Sequence, residues 1–420
     1  MHRLKALHTV LFLAVAFGLY AQPLPLQQAL DYAKQNNSTL TVAKLELEQA
    51  LRKQETNLFL PSVSLELGVN ATGSLIDSTL SSSFSAGSIS IDLSSANKYT
   101  RQQQSLAKAI SQSTYQTTEN TVADNVITAY WNCVAAELSV TNAQTTVDQA
   151  LRAYNLAVEK YEGGKATTLS VNQAKLTLSD AQYELQAAQQ VADSCYNTLN
   201  YMIGQTGVWE LDSMPSVSQT IPLESLLALV ENTNTIKNLA LAIDNAQLSQ
   251  KIARNTYTSP TFSLGASIGF AGSVSNSTDF TINDETSLSL AVSIPLDAYL
   301  TNSAAQVALD TASMEIDIAQ ASYQKGLEEL GESVKTAYTS LDQIKANLEK
   351  LEEHLVLANT QLDLVQAAYN ASLSPYSDLK DSQDAVHSAS LSILQQQLDY
   401  TLALYDLSNL LEVGLNTLIQ

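Results

Sequence analysis

Asp378 and Asp381 stand three residues apart just after Pro375, and on a helix that spacing puts both carboxylates on one face. Acids crowded in this way attract cations. A plainer reading also fits, in which both are first-turn acids favoured by the helix dipole. Cys133 and Cys195 are the only cysteines. Gly164 lies midway between them, so in an antiparallel helical hairpin turning at that glycine they sit at the same height. A disulfide and chance placement as two small core residues are both open, because packed helices lie ~8 to 10 Å apart and a disulfide needs Cα atoms within ~7 Å. Gly163-Gly164-Lys165 resembles the end of a phosphate-binding loop, but position 159 is Glu where the first glycine belongs, and Ala166 replaces the hydroxyl residue. His2 and His8 fall in the N-terminal leader, which leaves His354 and His387 in polar helical sequence. No nucleophile with a base and no metal-ligand set emerges. The chain therefore reads as non-enzymatic, with no catalytic residue, no metal and no cofactor.

The elements that position these residues begin after a leader. Residues 1–21 carry Arg3 and Lys5, an apolar run from Val10 to Leu19, and Ala21 before Gln22-Pro23. That is the pattern of a cleaved secretory signal, and the run is too short for a bilayer that needs ~20 apolar residues. Lys and Arg total 21 against 42 Asp and Glu, a formal charge of −21, and loss of the leader makes the balance more acidic. Such a surface repels nucleic acid and anionic lipid.

Beyond the leader the chain reads as two tandem units, 22–204 and 222–420, joined by a linker at 205–221. Pro25-Leu26-Gln27-Gln28-Ala29-Leu30 opens the first and Pro222-Leu223-Glu224-Ser225-Leu226-Leu227 the second. Each opening leads through an amphipathic helix to a proline, Pro61 or Pro260, after which the hydrophobic period switches to two. Val63, Leu65, Leu67 and Val69 alternate with polar residues in one unit, and Phe262, Leu264, Ala266, Ile268 and Phe270 with Ser and Gly in the other. Returning strands follow Ser/Thr/Asn-rich loops, giving strands at about 61–70, 84–93, 260–270 and 286–296. Their length of ~10 residues suits a tilted membrane crossing. Phe59, Tyr99, Tyr257 and Tyr299 stand at the helix-side ends, as an interfacial aromatic girdle would.

Then come two long proline-free helical stretches, Lys98 to Tyr161 and Thr301 to Tyr369. At ~1.5 Å per residue each is on the order of 100 Å long, and Leu341, Ile344, Leu348, Leu351 and Leu355 recur at coiled-coil steps. Each ends at a break, near 161–170 or 369–378, and a second helix returns. Four strands cannot close a membrane barrel, and lipid forbids an open edge. The expectation is thus a mixed α and β membrane protein of two repeats, each a membrane β-hairpin plus a long coiled-coil α-hairpin. Three copies would close a 12-stranded barrel. The competing expectation is a periplasmic or surface coiled-coil structural protein without channel activity.

The order strand pair, long helical hairpin, twice over, resembles the TolC-like outer-membrane efflux family along nearly all of the chain after the leader. Lys160-Tyr161-Glu162-Gly163-Gly164 and Ser170-Val171-Asn172-Gln173-Ala174 resemble one hairpin tip of that family. Tyr369 followed by Tyr376-Ser377-Asp378-Leu379-Lys380-Asp381 resembles the tip with paired aspartates. The resemblance implies an outer-membrane homotrimer in contact with lipid, its barrel continued by an α-helical barrel in the periplasm. The partners it implies are a periplasmic adaptor (membrane fusion protein) and an inner-membrane efflux pump or ABC transporter, with no nucleic acid. It places Asp378, Asp381 and Tyr369 at the lumen constriction, and Lys160, Tyr161, Gly163, Gly164, Ser372 and Ser374 at adaptor-docking tips. Ser170 stands where relatives commonly carry Asp, and Ser374 where some carry a latching Arg.

Overall fold

The computed structural model describes residues 22–54, 62–64, 68–74, 79–92, 96–215, 221–275 and 279–418. The leader, Phe59 and Pro61 lie outside the described residues. Two compact units are formed, and each takes segments from both halves of the chain: Met1–Leu45, Thr114–Asn234 and Leu327–Gln420 make one, Glu46–Ser113 and Thr235–Gly326 the other.

The first unit is helical. Strand β1 (Gln22–Leu24) leads to helix α1 (Leu26–Asn36), and helix α2 begins at Ser38 and ends at Gln54. The long helix α3 (Ala96–Glu162) turns into α4 (Thr168–Ile203), and β5 (Trp209–Leu211) follows. Later, α7 (Ala304–Asn370) turns into α8 (Tyr376–Leu411). A single core ties the N-terminal segment to α3, α4 and α8: Leu24, Ala29, Ala33, Val126, Tyr130, Cys133, Leu199, Ile203, Trp209 and Leu398 are all buried in it. β1 and β5 pair in parallel, Leu24 opposite Leu211. The Tyr130 hydroxyl serves both strands, donating to the Leu24 carbonyl at 2.8 Å and accepting the Asp212 N–H at 2.7 Å. Asp212 in turn accepts the first free N–H of α1, from Leu26, at 2.9 Å. Helix α4 ends at Gly204 with φ 64°, a left-handed cap that glycine adopts without steric cost. A Cβ there would lie 2.6 Å from that of Asn36, so the glycine also permits close packing against α1.

The second unit holds the sheet. Its strands are β2 (Ser62–Ser64), β3 (Gly68–Ser74), β4 (Thr79–Asp92), β6 (Thr261–Ser275) and β7 (Asp279–Ser293). All pairings are antiparallel, in the order β2/β3, β4, β6, β7. The register sets apolar residues opposite one another: Ile91 pairs Leu264 and Leu264 pairs Leu290, while Ile89 pairs Ala266 and Ala266 pairs Leu288. One row over, Ser88, Ser267 and Ser287 align. Alternation along each strand thus becomes one apolar and one polar face. Three strands run further into their loops than period two indicates, β4 starting at Thr79, β6 reaching Ser275 and β7 starting at Asp279. Runs such as Ser81-Ser82-Ser83 and Asn283-Asp284-Glu285 have no apolar alternation, and it is the backbone ladder alone that extends the strands there. β7 stops before Pro295, which has no N–H to give a ladder. After the short helix α5 (Leu223–Leu227), helix α6 (Asn234–Thr258) precedes β6, and Leu239 on it packs against Gly326 of α7, where an added Cβ would have to push the leucine tip aside.

Candidate functional site

Two places have chemistry to offer: the ends of the helical hairpins in the first unit, and the apolar face of β7 in the second.

The hairpin ends are built from two turns of the same design. After α3, the Gly164 N–H donates to the Tyr161 carbonyl and the Lys165 N–H to the Lys160 carbonyl, with Gly164 at φ 72°. After α7, the Ser372 N–H donates to the Tyr369 carbonyl and the Leu373 N–H to the Ala368 carbonyl, with Ser372 at φ 61°. Both satisfy the last carbonyls of a helix with a left-handed residue. The second tip does so with a serine, whose Cβ makes that conformation costly by ~1–2 kcal/mol. Thr167 caps α4 by accepting the Ser170 N–H at 3.3 Å.

Between the tips lies a small core of Ala153, Ala157, Ala174, Tyr369, Tyr376 and Leu379. Tyr369 and Tyr376 meet edge to face with centroids 6.1 Å apart. Lys160 crosses from α3: its Nζ lies 3.7 Å from the Tyr369 ring centroid and donates to the Tyr369 carbonyl. A buried ammonium is costly unless compensated, and here a π face and a helix-terminal carbonyl both receive it. Burial first and the nearby Lys165 second hold the Lys160 pKa below the ordinary lysine value. Burial likewise pushes the Tyr369 and Tyr376 phenols up. The Tyr369 hydroxyl has no hydrogen-bond partner among the described residues.

The structure separates residues that the sequence grouped. Asp378 and Asp381 are exposed on α8, while Tyr376, Leu379 and Ser382 on the opposite side are buried. Tyr369 is inside the protomer, 4% exposed. Of the docking-tip residues, Tyr161, Gly163, Gly164 and Ser372 are exposed, Ser374 is half-buried and Lys160 is buried. Asp378 accepts the Ser374 hydroxyl at 2.7 Å. Ser374 therefore binds the first acid of the next helix. The acidic first turn after Pro375 was readable, but this contact is not a cap, since the N-cap Pro375 makes no side-chain cap bond. The Lys160 contact with Tyr369 had no sequence signal, since 209 positions separate the pair. Lys380 forms an ion pair with Asp384 on the flank of the same helix.

On β7, Leu288, Leu290 and Val292 are exposed, and Ile294, Leu296, Tyr299 and Leu300 continue the apolar surface beyond the strand. Tyr99 and Tyr257 are half-buried. Among the described residues, the edge strands β2/β3 and β7 each carry one unpaired side. No helix is long and apolar enough to cross a membrane among the described residues, and no cluster of metal-ligating side chains occurs among them. Cys133 and Cys195 are free thiols in contact with the same core.

With this geometry in view, the chain matches the outer membrane efflux protein family over residues 29–205 and 227–412. It is 22% identical to outer membrane protein TolC of Escherichia coli (strain K12) over 422 residues, covering 91% of this chain and 81% of that protein. The fold resembles that of CusC, with a TM-score of 0.78 at 17% identity, covering 94% of both chains. It also resembles outer membrane protein VceC of Vibrio cholerae, with a TM-score of 0.75 at 17% identity, covering 93% of this chain and 96% of that one.

Proposed function

Because the chain belongs to the outer membrane efflux protein family, and is accordingly an outer-membrane exit duct of an efflux system rather than an enzyme, we propose that it works as a homotrimer. In this reading four strands from each copy close a 12-stranded barrel, and the helices continue it as a tunnel in the periplasm. The observation that carries the reading is a sheet of membrane-crossing length whose two outer strands have an open edge among the described residues. In lipid each unpaired N–H and C=O on such an edge costs several kcal/mol. Pairing β7 of one copy with β2/β3 of the next removes every edge, and a closed ring of identical copies is the symmetric solution.

Two further features support it. The exposed leucines of β7 suit a lipid-facing surface, with Tyr299 at its border. On the helices, Leu169, Leu176 and Tyr183 of α4 and Leu357 and Leu364 of α7 are exposed at seven-residue steps, the spacing of a seam that awaits another helix. A second copy of the chain supplies that helix.

Asp378 and Asp381 are assigned to the narrow inner end of the tunnel, where threefold repetition makes two acidic rings, and Tyr369 braces them from within each protomer. Tyr161, Gly163, Gly164, Ser372 and Ser374, with Lys160 behind them, form the surface that meets a periplasmic adaptor, which links the duct to an inner-membrane efflux pump or ABC transporter. Cargo is small molecules or proteins taken from the pump or the periplasm, and the pump supplies the energy.

The test is to purify the full chain in detergent, measure its mass and insert it into a planar bilayer. A trimer with discrete ion conductance is expected. A monomer that stays soluble without detergent and conducts nothing overturns the reading.

A further inference from the structure

The first helical hairpin holds both cysteines and the second holds neither, and the surroundings of the pair are unusual for two incidental core residues. The antiparallel register of α3 on α4 is fixed next to them: the Tyr196 hydroxyl donates to the Glu137 carboxylate and lies 3.1 Å from the Trp209 carbonyl oxygen. In an antiparallel hairpin turning at Gly164, Cys133 and Cys195 fall at the same height, as do Ala129 and Leu199 and Ala136 and Ala192, and Cys195 packs against the core that contains Cys133. Ala129 and Ala136, one turn to either side of Cys133, are small enough to allow the local approach of two helices that a disulfide requires. Cys133 is fully buried and Cys195 is half-buried against the same core, with the two thiols near enough to influence one another.

We propose that Cys133 and Cys195 are an oxidisable dithiol, and that an external disulfide converts it to an intramolecular bond stapling α3 to α4 where β1 and β5 dock. The exchange proceeds in two steps. The reachable Cys195 loses its proton, and the thiolate attacks one sulfur of the incoming disulfide. One half of the reagent leaves as a thiol, and a mixed disulfide remains on Cys195. Cys133 then loses its proton and attacks the Cys195 sulfur, expelling the second half. Two protein thiols are oxidised and one external disulfide is reduced to two thiols. Burial pushes the Cys133 thiol well up, so the second step is the slow one. An exported chain meets such oxidants, and the staple does not depend on what the duct carries.

The consequence is asymmetry between the hairpins. The oxidised first hairpin is held at the level of the N-terminal strand and the linker strand, while the second keeps only non-covalent contacts along α7 and α8.

The experiment uses the full chain in detergent, incubated with oxidised glutathione or with dithiothreitol. Free thiols are blocked with N-ethylmaleimide under denaturing conditions, and the protein is digested without reduction. The oxidised sample is expected to yield one linked peptide containing Cys133 and Cys195, lighter by two hydrogens than its parts, and to unfold at a higher temperature than the reduced sample. In Cys133→Ser the glutathione adduct on Cys195 is expected to persist, whereas in the parent chain it passes on to the linked peptide. The proposal is overturned if the oxidised parent chain keeps Cys133 free beside a glutathionylated Cys195, or if neither thiol reacts while the protein is folded. Disulfides formed only between chains overturn it equally, and the parent-chain result stands even if the serine variant fails to fold.

Discussion

Lys160, in the last turn of α3, places its ammonium 3.7 Å from the ring centroid of Tyr369, in the last turn of α7, and donates to that residue's carbonyl. One side chain thereby fastens the ends of the two longest helices to each other. Replacing it with methionine keeps the apolar stem and removes the charge. Lys160→Met is expected to cost ~1 kcal/mol at this contact and to increase tryptic or chymotryptic cleavage at the tips, read by limited proteolysis. An unchanged cleavage rate would show that the tips are held by other contacts.

The two tip turns differ in one left-handed residue. Ser372→Gly relieves a strained Cβ and is expected to stabilise the chain by ~1 kcal/mol. Gly164→Ala introduces the same strain and is expected to cost a similar amount. Opposite shifts of the thermal midpoint check both; equal shifts would contradict the shared design.

Asp124 lies on α3 beside a cavity of about 250 Å³, with Gln116, Asn120, Ser408, Asn409 and Glu412 around it. Burial first and the charge of Asp406 second raise its pKa to about 6. The unfolded carboxyl titrates near ~4, so between these values the folded chain holds a proton that the unfolded chain has lost. Stability from this group is therefore present below pH ~4 and lost as pH rises through about 6. Asp124→Asn is expected to match the parent at pH ~4 and to be more stable by on the order of 1 kcal/mol at pH ~8. Thermal unfolding across that range decides the matter, and parallel curves would count against the buried acid.

Tyr130 bonds both the Leu24 carbonyl and the Asp212 N–H. Tyr130→Phe leaves both groups without this partner in the core, at an expected cost of ~1–3 kcal/mol. Faster hydrogen exchange at the Asp212 amide, without change near the tips, is the accompanying signature. Exchange that rises everywhere instead would mean global loss of folding.

The paired replacement of Asp378 and Asp381 by alanine tests the constriction. Weaker cation preference and weaker block by multivalent cations are expected in the bilayer. If both stay as in the parent, these carboxylates serve only the start of α8.

Much of this was legible in the residues themselves. A period of two in Phe262 to Phe270 and proline-free runs at coiled-coil spacing impose strand and helix locally, because side-chain direction follows backbone period. The Gly163-Gly164 break and the Pro375 start mark turns for equally local reasons. Strand ends escaped this reading where the backbone ladder alone extended them, as at Thr79 and Asp279. What a period cannot encode is which element meets which. That β4 pairs β6 across the two halves of the chain, and that Lys160 reaches Tyr369 rather than water, follow from contacts between segments far apart in the chain. Such contacts leave no spacing rule behind. The same holds for Asp378: its type and position made it an acid on an exposed helix face, and only the packed tip gave it Ser374 as its partner, because that hydroxyl reaches the carboxylate once the turn has closed.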